Sequence, residues 1–161
     1  MISVRIHLIW EGKTKNAQLR ALEADYRARI EHFTDLVVKE LPPGRAAPKD
    51  GGGHPQDKLP AAERRLLEKV SGSYKVFLDA GGREWTSQEF AGWLGQQGLR
   101  GTRELVFLVG GPQGLSAAFK KQADLLLALS RMTLTRDWAR ALLLEQIYRG
   151  FTILRGYPYA K

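Results

Sequence analysis

The sequence predicts an α/β protein built on a mainly parallel sheet with helices on both faces. Two observations carry this. The segments YKVFLDA (74–80) and ELVFLV (104–109) are short, rich in β-formers and almost wholly apolar, as strands are when both of their faces are buried. Strand-like and helix-like patterns also alternate along the chain, the order that strand-helix-strand units impose on a sequence.

The elements follow in chain order. Ile2, Val4, Ile6, Leu8 and Trp10 alternate with Ser3, Arg5 and His7, the period of a strand with one face more buried than the other. Leu19, Leu22, Tyr26, Ile30 and Phe33 recur at helical steps, so residues 16–33 are expected to form an amphipathic helix. LVVKEL (36–41) reads as the second strand. PPGRAAPKDGGGHPQD (42–57) mixes proline, glycine and charge without an apolar period and reads as a mobile loop, an inert insertion or a substrate-contacting segment.

Beyond it the pattern predicts a helix near 59–70, the strand at 74–80 and a helix near 87–97, opened by a capping box between Thr86 and Glu89. The strand at 104–109, a helix near 116–127, a short strand within ALSRMTL (128–134) and a final helix near 137–148 complete the chain. A length of 161 residues fits one domain.

Composition narrows the function. Lys and Arg number 25 against 17 Asp and Glu, a formal net charge of +8 whose field attracts a polyanion such as RNA. Cysteine is absent, which excludes disulfides, thiolate metal sites and a cysteine nucleophile. His7, His32 and His54 match no metal-ligand spacing, so no metal is expected. No stretch approaches the ~20 apolar residues of a membrane span, and the N-terminus lacks a signal peptide's apolar core. A cytoplasmic protein with no membrane association is expected.

In open α/β sheets ligands bind beyond the carboxyl ends of the strands, so the loops there carry the candidate chemistry. Asp79 is followed by Ala80, Gly81 and Gly82, and Val109 by GGPQG (110–114). Glycines let backbone groups approach a ligand, but they also make tight structural turns, and both readings stay open. GGPQG lacks the GK[ST] ending of a P-loop, and GxGxxG does not occur. The third loop, LSRMTLTRDWAR (129–140), places Arg131, Arg136 and Arg140 near a helix start. That is either a plain strand-to-helix connection or a site for an anionic partner.

At these loops the chain resembles a known family. FLDAGG, FLVGGPQGLS, LSRMTL and the tail ALLLEQIYRGFTILRGYPY, in this order, are similar to the ribosomal RNA large subunit methyltransferase H family of the SPOUT class, and the likeness extends over nearly the whole chain. The resemblance implies a C-terminal trefoil knot. It also implies a homodimer with the active site near the subunit interface and S-adenosylmethionine held bent in the knot loops. Carried over by motif position, Leu78, Gly110, Leu129, Ser130, Arg131, Met132, Thr133 and Leu134 bind the cofactor, and Gly111 and Gly114 shape the loop.

The implied acceptor is N3 of a pseudouridine in 23S rRNA, methylated on the large subunit of the assembled ribosome. Arg140 is the first catalytic candidate, placed to meet substrate phosphate or a developing anion, and Asp137 is the second. Arg136, Tyr159 and Lys161 join Arg140 as candidate substrate contacts, while Glu145 and Arg149 read as a helical ion pair. Trp138, Leu142 and Tyr148 suit either a dimer surface or the core.

Two positions depart from the family pattern. Thr135 and Arg136 stand where relatives commonly carry Pro-His, and Tyr159, Ala160 and Lys161 where they end in Tyr-His and a base. Histidine is the side chain best suited to take a proton near neutral pH. Asp137 or solvent then serves instead, or Arg136 and Lys161 supply RNA-binding charge in the histidines' place. Another RNA substrate, or a ribosome-binding assembly factor without catalysis, are the alternative functions.

Overall fold

The computed structural model describes residues 4–42, 59–110 and 115–159. They form a five-stranded sheet in the order β2-β1-β4-β3-β5. Its strands are β1 (Arg5–Glu11), β2 (Leu36–Leu41), β3 (Tyr74–Glu84), β4 (Glu104–Leu108) and β5 (Leu125–Ala128), and every neighbouring pair is parallel. The helices are α1 (Ala17–Ile30), α2 (Ala61–Lys69), α3 (Ser87–Leu99), α4 (Ala117–Lys120) and α5 (Arg136–Arg155).

Strand alternation divides the sheet's side chains between two layers. Ile6, Leu8, Trp10, Val76, Leu105 and Phe107 form one core with Ile30 of α1, Phe90 and Leu94 of α3, and Leu143, Leu144 and Ile147 of α5. Ile9, Phe77, Val106 and Leu108 form the other with Val70 and Phe119, and Leu66 and Leu67 of α2 pack against it. Helices therefore cover both faces, and the apolar runs of the central strands follow from having no solvent side.

The predicted capping box is present, and other helix ends are capped as well. Thr86 accepts from Glu89 N while the Glu89 carboxylate accepts from Thr86 N, a complete capping box at the start of α3. Asn16 caps α1 through its side-chain oxygen and Leu19 N. α5 ends on Gly156, whose φ of 66° is the left-handed C-terminal conformation that glycine adopts without cost.

Four boundaries differ from the sequence expectation. The helix expected over 116–127 is the single turn Ala117–Lys120, and the next strand is Leu125–Ala128, so LSRMTL is loop rather than strand. Asp124 fixes that change: its N–H donates to Lys75 O and its carboxylate accepts from Lys75 N, which hooks the segment to the edge of β3 before helix can continue. β3 runs on to Glu84, and α5 continues to Arg155, two turns beyond the expected end. α1 stops at Ile30, short of Phe33. Of the expected loop at 42–57, residues 43–57 lie outside the described residues, as do Ile2 and Ser3 of the first strand.

Candidate functional site

Because β3, β4 and β5 are parallel neighbours, their carboxyl ends open on the same side of the sheet, with Phe77 level with Leu108 and Leu78 level with Leu127. The loops leaving them enclose a cleft of about 610 Å³. β3 contributes Leu78, Asp79 and Ala80; β4 leads to Val109 and Gly110; β5 leads to Leu129, Ser130, Met132, Thr133 and Leu134. Leu115, Lys120, Leu127, Thr135, Arg136 and Ala139 complete the lining. Apolar walls with a few oriented polar groups suit a small organic ligand.

Local structure places these walls. Leu78 and Arg83 both face Leu127, so residues 79–82 bulge out of β3 over the cleft. Gly82 permits the return, since a Cβ there would lie 2.6 Å from Leu126 C and 2.7 Å from Leu127 N. Asp79 is held by Gly81 N at 3.2 Å and by Lys120 Nζ at 2.9 Å. On the third wall Ser130 Oγ accepts from Met132 N at 3.0 Å, and Thr135 caps α5 through Trp138 N. The positive end of a 20-residue helix, with Arg136 in its first turn, thus borders the cleft.

Seven of the eight residues expected at the cofactor line this cleft together: Leu78, Gly110, Leu129, Ser130, Met132, Thr133 and Leu134. Arg131 does not. It lies on the other side of its loop, 3.7 Å from Glu84, in the wall of a neighbouring cavity shared with Trp85. Gly111 and Gly114 are outside the described residues.

The three arginines expected to converge on an anion are separated. Arg136 lines the cleft, whereas Arg140 is 1% exposed inside the fold. Its guanidinium donates to Glu11 O, to Gly12 O at 3.2 Å and to Thr14 Oγ1 at 3.2 Å, and stacks 4.9 Å from the centre of the Trp10 ring. Burial lowers its pKa from the usual arginine value, against the opposing pull of Glu23 and Asp137. Asp137 faces the same cluster rather than the cleft, its Oδ2 accepting from Lys15 N at 3.2 Å and Asn16 N at 3.3 Å. Both residues fasten the start of α5 to the β1–α1 connection.

The tail is anchored within its own chain. Tyr159 meets Tyr26 hydroxyl to hydroxyl at 2.7 Å, packs edge-on against Tyr148, and lies beneath Arg149. Burial and the Tyr26 bond push its phenol well above the ordinary value. Glu145 and Arg149 form the expected pair at 2.6 Å. Lys161 is outside the described residues.

Sequence reading missed Asp79 and Lys120 as cleft residues. Asp79 ends an apolar strand run, the position from which a side chain reaches a ligand, whereas Lys120, on the single turn of α4, carries no local sequence signal for the cleft.

A family profile described as predicted SPOUT methyltransferase matches residues 4–160. Proteins named ribosomal RNA large subunit methyltransferase H are similar over almost their full length. The one from Geobacter sp. strain M21 is 38% identical over 97% of this chain and 98% of its own, and that from Clostridium kluyveri is 36% identical over 98% and 100%. Among solved structures, a probable methylase family protein from Haemophilus influenzae aligns with a TM-score of 0.53 at 15% identity, covering 100% of this chain and 72% of that one, a likeness of fold. The chain belongs to the SPOUT methyltransferases, in the family of ribosomal RNA large subunit methyltransferase H.

Proposed function

We propose that the protein is an S-adenosylmethionine-dependent methyltransferase acting on N3 of a pseudouridine in 23S rRNA. The observation that carries this is the cleft, where seven residues matched by family motif line one cavity of about 610 Å³ at the carboxyl ends of three parallel strands. Leu78, Leu129 and Leu134 supply apolar surface for an adenine ring, and the backbone at Gly110 and around Ser130 and Thr133 supplies the directional hydrogen bonds. Bound there, the cofactor supplies an electrophilic methyl group.

The chain's own part is placement. The acceptor nitrogen has to lose its proton and lie in line with the methyl group, and holding that geometry supplies much of the acceleration of such a transfer. Arg136, on the cleft wall at the helix start, is placed to favour the anionic form of the acceptor or a flanking phosphate. Arg140 and Asp137 act through it by holding the first turn of α5. The net charge of +8 suits a ribosomal RNA partner.

The same reading includes the C-terminal trefoil knot, a homodimer and a cytoplasmic site of action. α5 supports the dimer: Trp138, Leu142, Ile153 and Leu154 are exposed on it, more large apolar surface than a solvated helix needs.

Gly110→Val tests the cofactor assignment, because a branched side chain there occupies the cleft wall. S-adenosylmethionine binding by calorimetry is expected to weaken at least ~10-fold, about 1.4 kcal/mol, with circular dichroism unchanged. Undiminished affinity would refute the placement.

A further inference from the structure

Two opposite charges line the cleft, and the transfer chemistry uses neither. Asp79 and Lys120 lie 2.9 Å apart on the wall between β3 and α4, with side chains 23% and 35% exposed. Their placement is built. Phe119, 1% exposed, stacks on Phe77 with ring centres 4.7 Å apart and planes within 8°. Asp79 follows Phe77 by two residues, where the chain leaves the β3 ladder, and Lys120 follows Phe119, so one aromatic stack anchors the chain next to both charges. α4 is fixed from its other end by Ser116, which donates through Oγ to Glu63 Oε2 at 2.6 Å.

An ion pair this accessible adds little to stability. Its charges also have capacity left. Asp79 Oδ2 accepts from Gly81 N and Oδ1 meets Lys120, which leaves lone pairs on a carboxylate that accommodates about four bonds. Lys120 directs one of three ammonium N–H groups at Asp79. The remainder of the lining is apolar or neutral apart from Arg136.

We infer that Asp79 and Lys120 form a clamp for the zwitterionic amino-acid end of the nucleoside cofactor, Lys120 binding its α-carboxylate and Asp79 its α-ammonium. The inference rests on the cleft being an S-adenosylmethionine site and adds which residues select the amino-acid end. Four charges of alternating sign then neutralise one another at the cleft wall, and the clamp holds the end of the ligand remote from the adenine. Such a clamp separates S-adenosylmethionine and its demethylated product from nucleosides that lack the amino acid.

Calorimetry with three probes on the full chain tests it: S-adenosylhomocysteine, its decarboxylated analogue, and 5′-methylthioadenosine, which keeps the adenine, ribose and 5′ sulfur but lacks the amino-acid end. The wild type is expected to bind S-adenosylhomocysteine about 10- to 100-fold more tightly than 5′-methylthioadenosine. Lys120→Met and Asp79→Asn are each expected to remove most of that preference while leaving 5′-methylthioadenosine affinity within about 2-fold. Removing the ligand carboxylate is expected to weaken binding to the wild type and to Asp79→Asn but not to Lys120→Met, the coupling that only a direct contact produces.

Equal weakening of all three ligands in the variants would make the pair structural and overturn the clamp, and loss of 5′-methylthioadenosine in Asp79→Asn would move Asp79 to the ribose. A wild type that binds the three alike overturns the clamp and keeps the cofactor site. One that binds none of them removes both.

Discussion

Arg140 shows how a residue's role is set by its neighbours. As one of three arginines near a helix start it reads as a substrate contact, yet in the fold it satisfies carbonyls at the end of β1 and stacks on Trp10. The signal for this was present: Arg140 falls on the same helical face as Leu143, Leu144 and Ile147, all buried. Arg140→Ala strips two carbonyls and the buried Thr14 hydroxyl of a donor. It is expected to cost about 3 kcal/mol in urea denaturation, whereas an exposed substrate arginine would cost almost nothing there.

Glu23 belongs to the same cluster. It is buried, accepts from Thr14 Oγ1, and faces Arg140 together with the like charges of Asp137 and Glu40. Burial raises its pKa above the ordinary carboxylate value, partly offset by Thr14 and Arg140. The folded state therefore holds this proton more tightly than the unfolded chain does. Its contribution is fully present below the unfolded pKa and is lost as pH rises through the raised folded one. Glu23→Gln is expected to flatten that decline when denaturation midpoints are compared between about pH 4 and pH 7; parallel profiles would contradict it.

At the scale of elements, legibility followed how local the cause was. The Thr86–Glu89 capping box was readable because both partners lie within one turn. The α4–β5 boundary was not, because Ala117 to Leu127 is rich in helix formers and only pairing with β3 overrides that preference. The role of Gly82 was equally hidden: the AGG run fits a turn, a cofactor loop or a close approach, and only the β3–β5 register selects the last. Gly82→Ala drives a methyl group into the backbone of Leu126 and is expected to cost about 1–3 kcal/mol by thermal denaturation. It should also weaken cofactor binding, since the displaced strand carries Leu78 and Asp79. A neutral substitution would mean that the bulge relaxes freely.

For the whole molecule, alternation of strands and helices and the apolar runs at 74–80 and 104–109 were enough to give a parallel sheet covered on both faces. The strand order was not legible, since β4 inserts between β1 and β3 through contacts that leave no local trace in sequence. That order brings the β3, β4 and β5 loops to one place and turns three unremarkable segments into a single cleft. The motifs located its walls, while the charged pair at its side depended on tertiary packing.

The most direct test of the methyltransferase reading is transfer of labelled methyl from S-adenosylmethionine to ribosomes lacking large-subunit methylation, followed by mass mapping of the modified nucleotide. Label on N3 of one pseudouridine in 23S rRNA is the expected result. Tight cofactor binding with no label in RNA would contradict it.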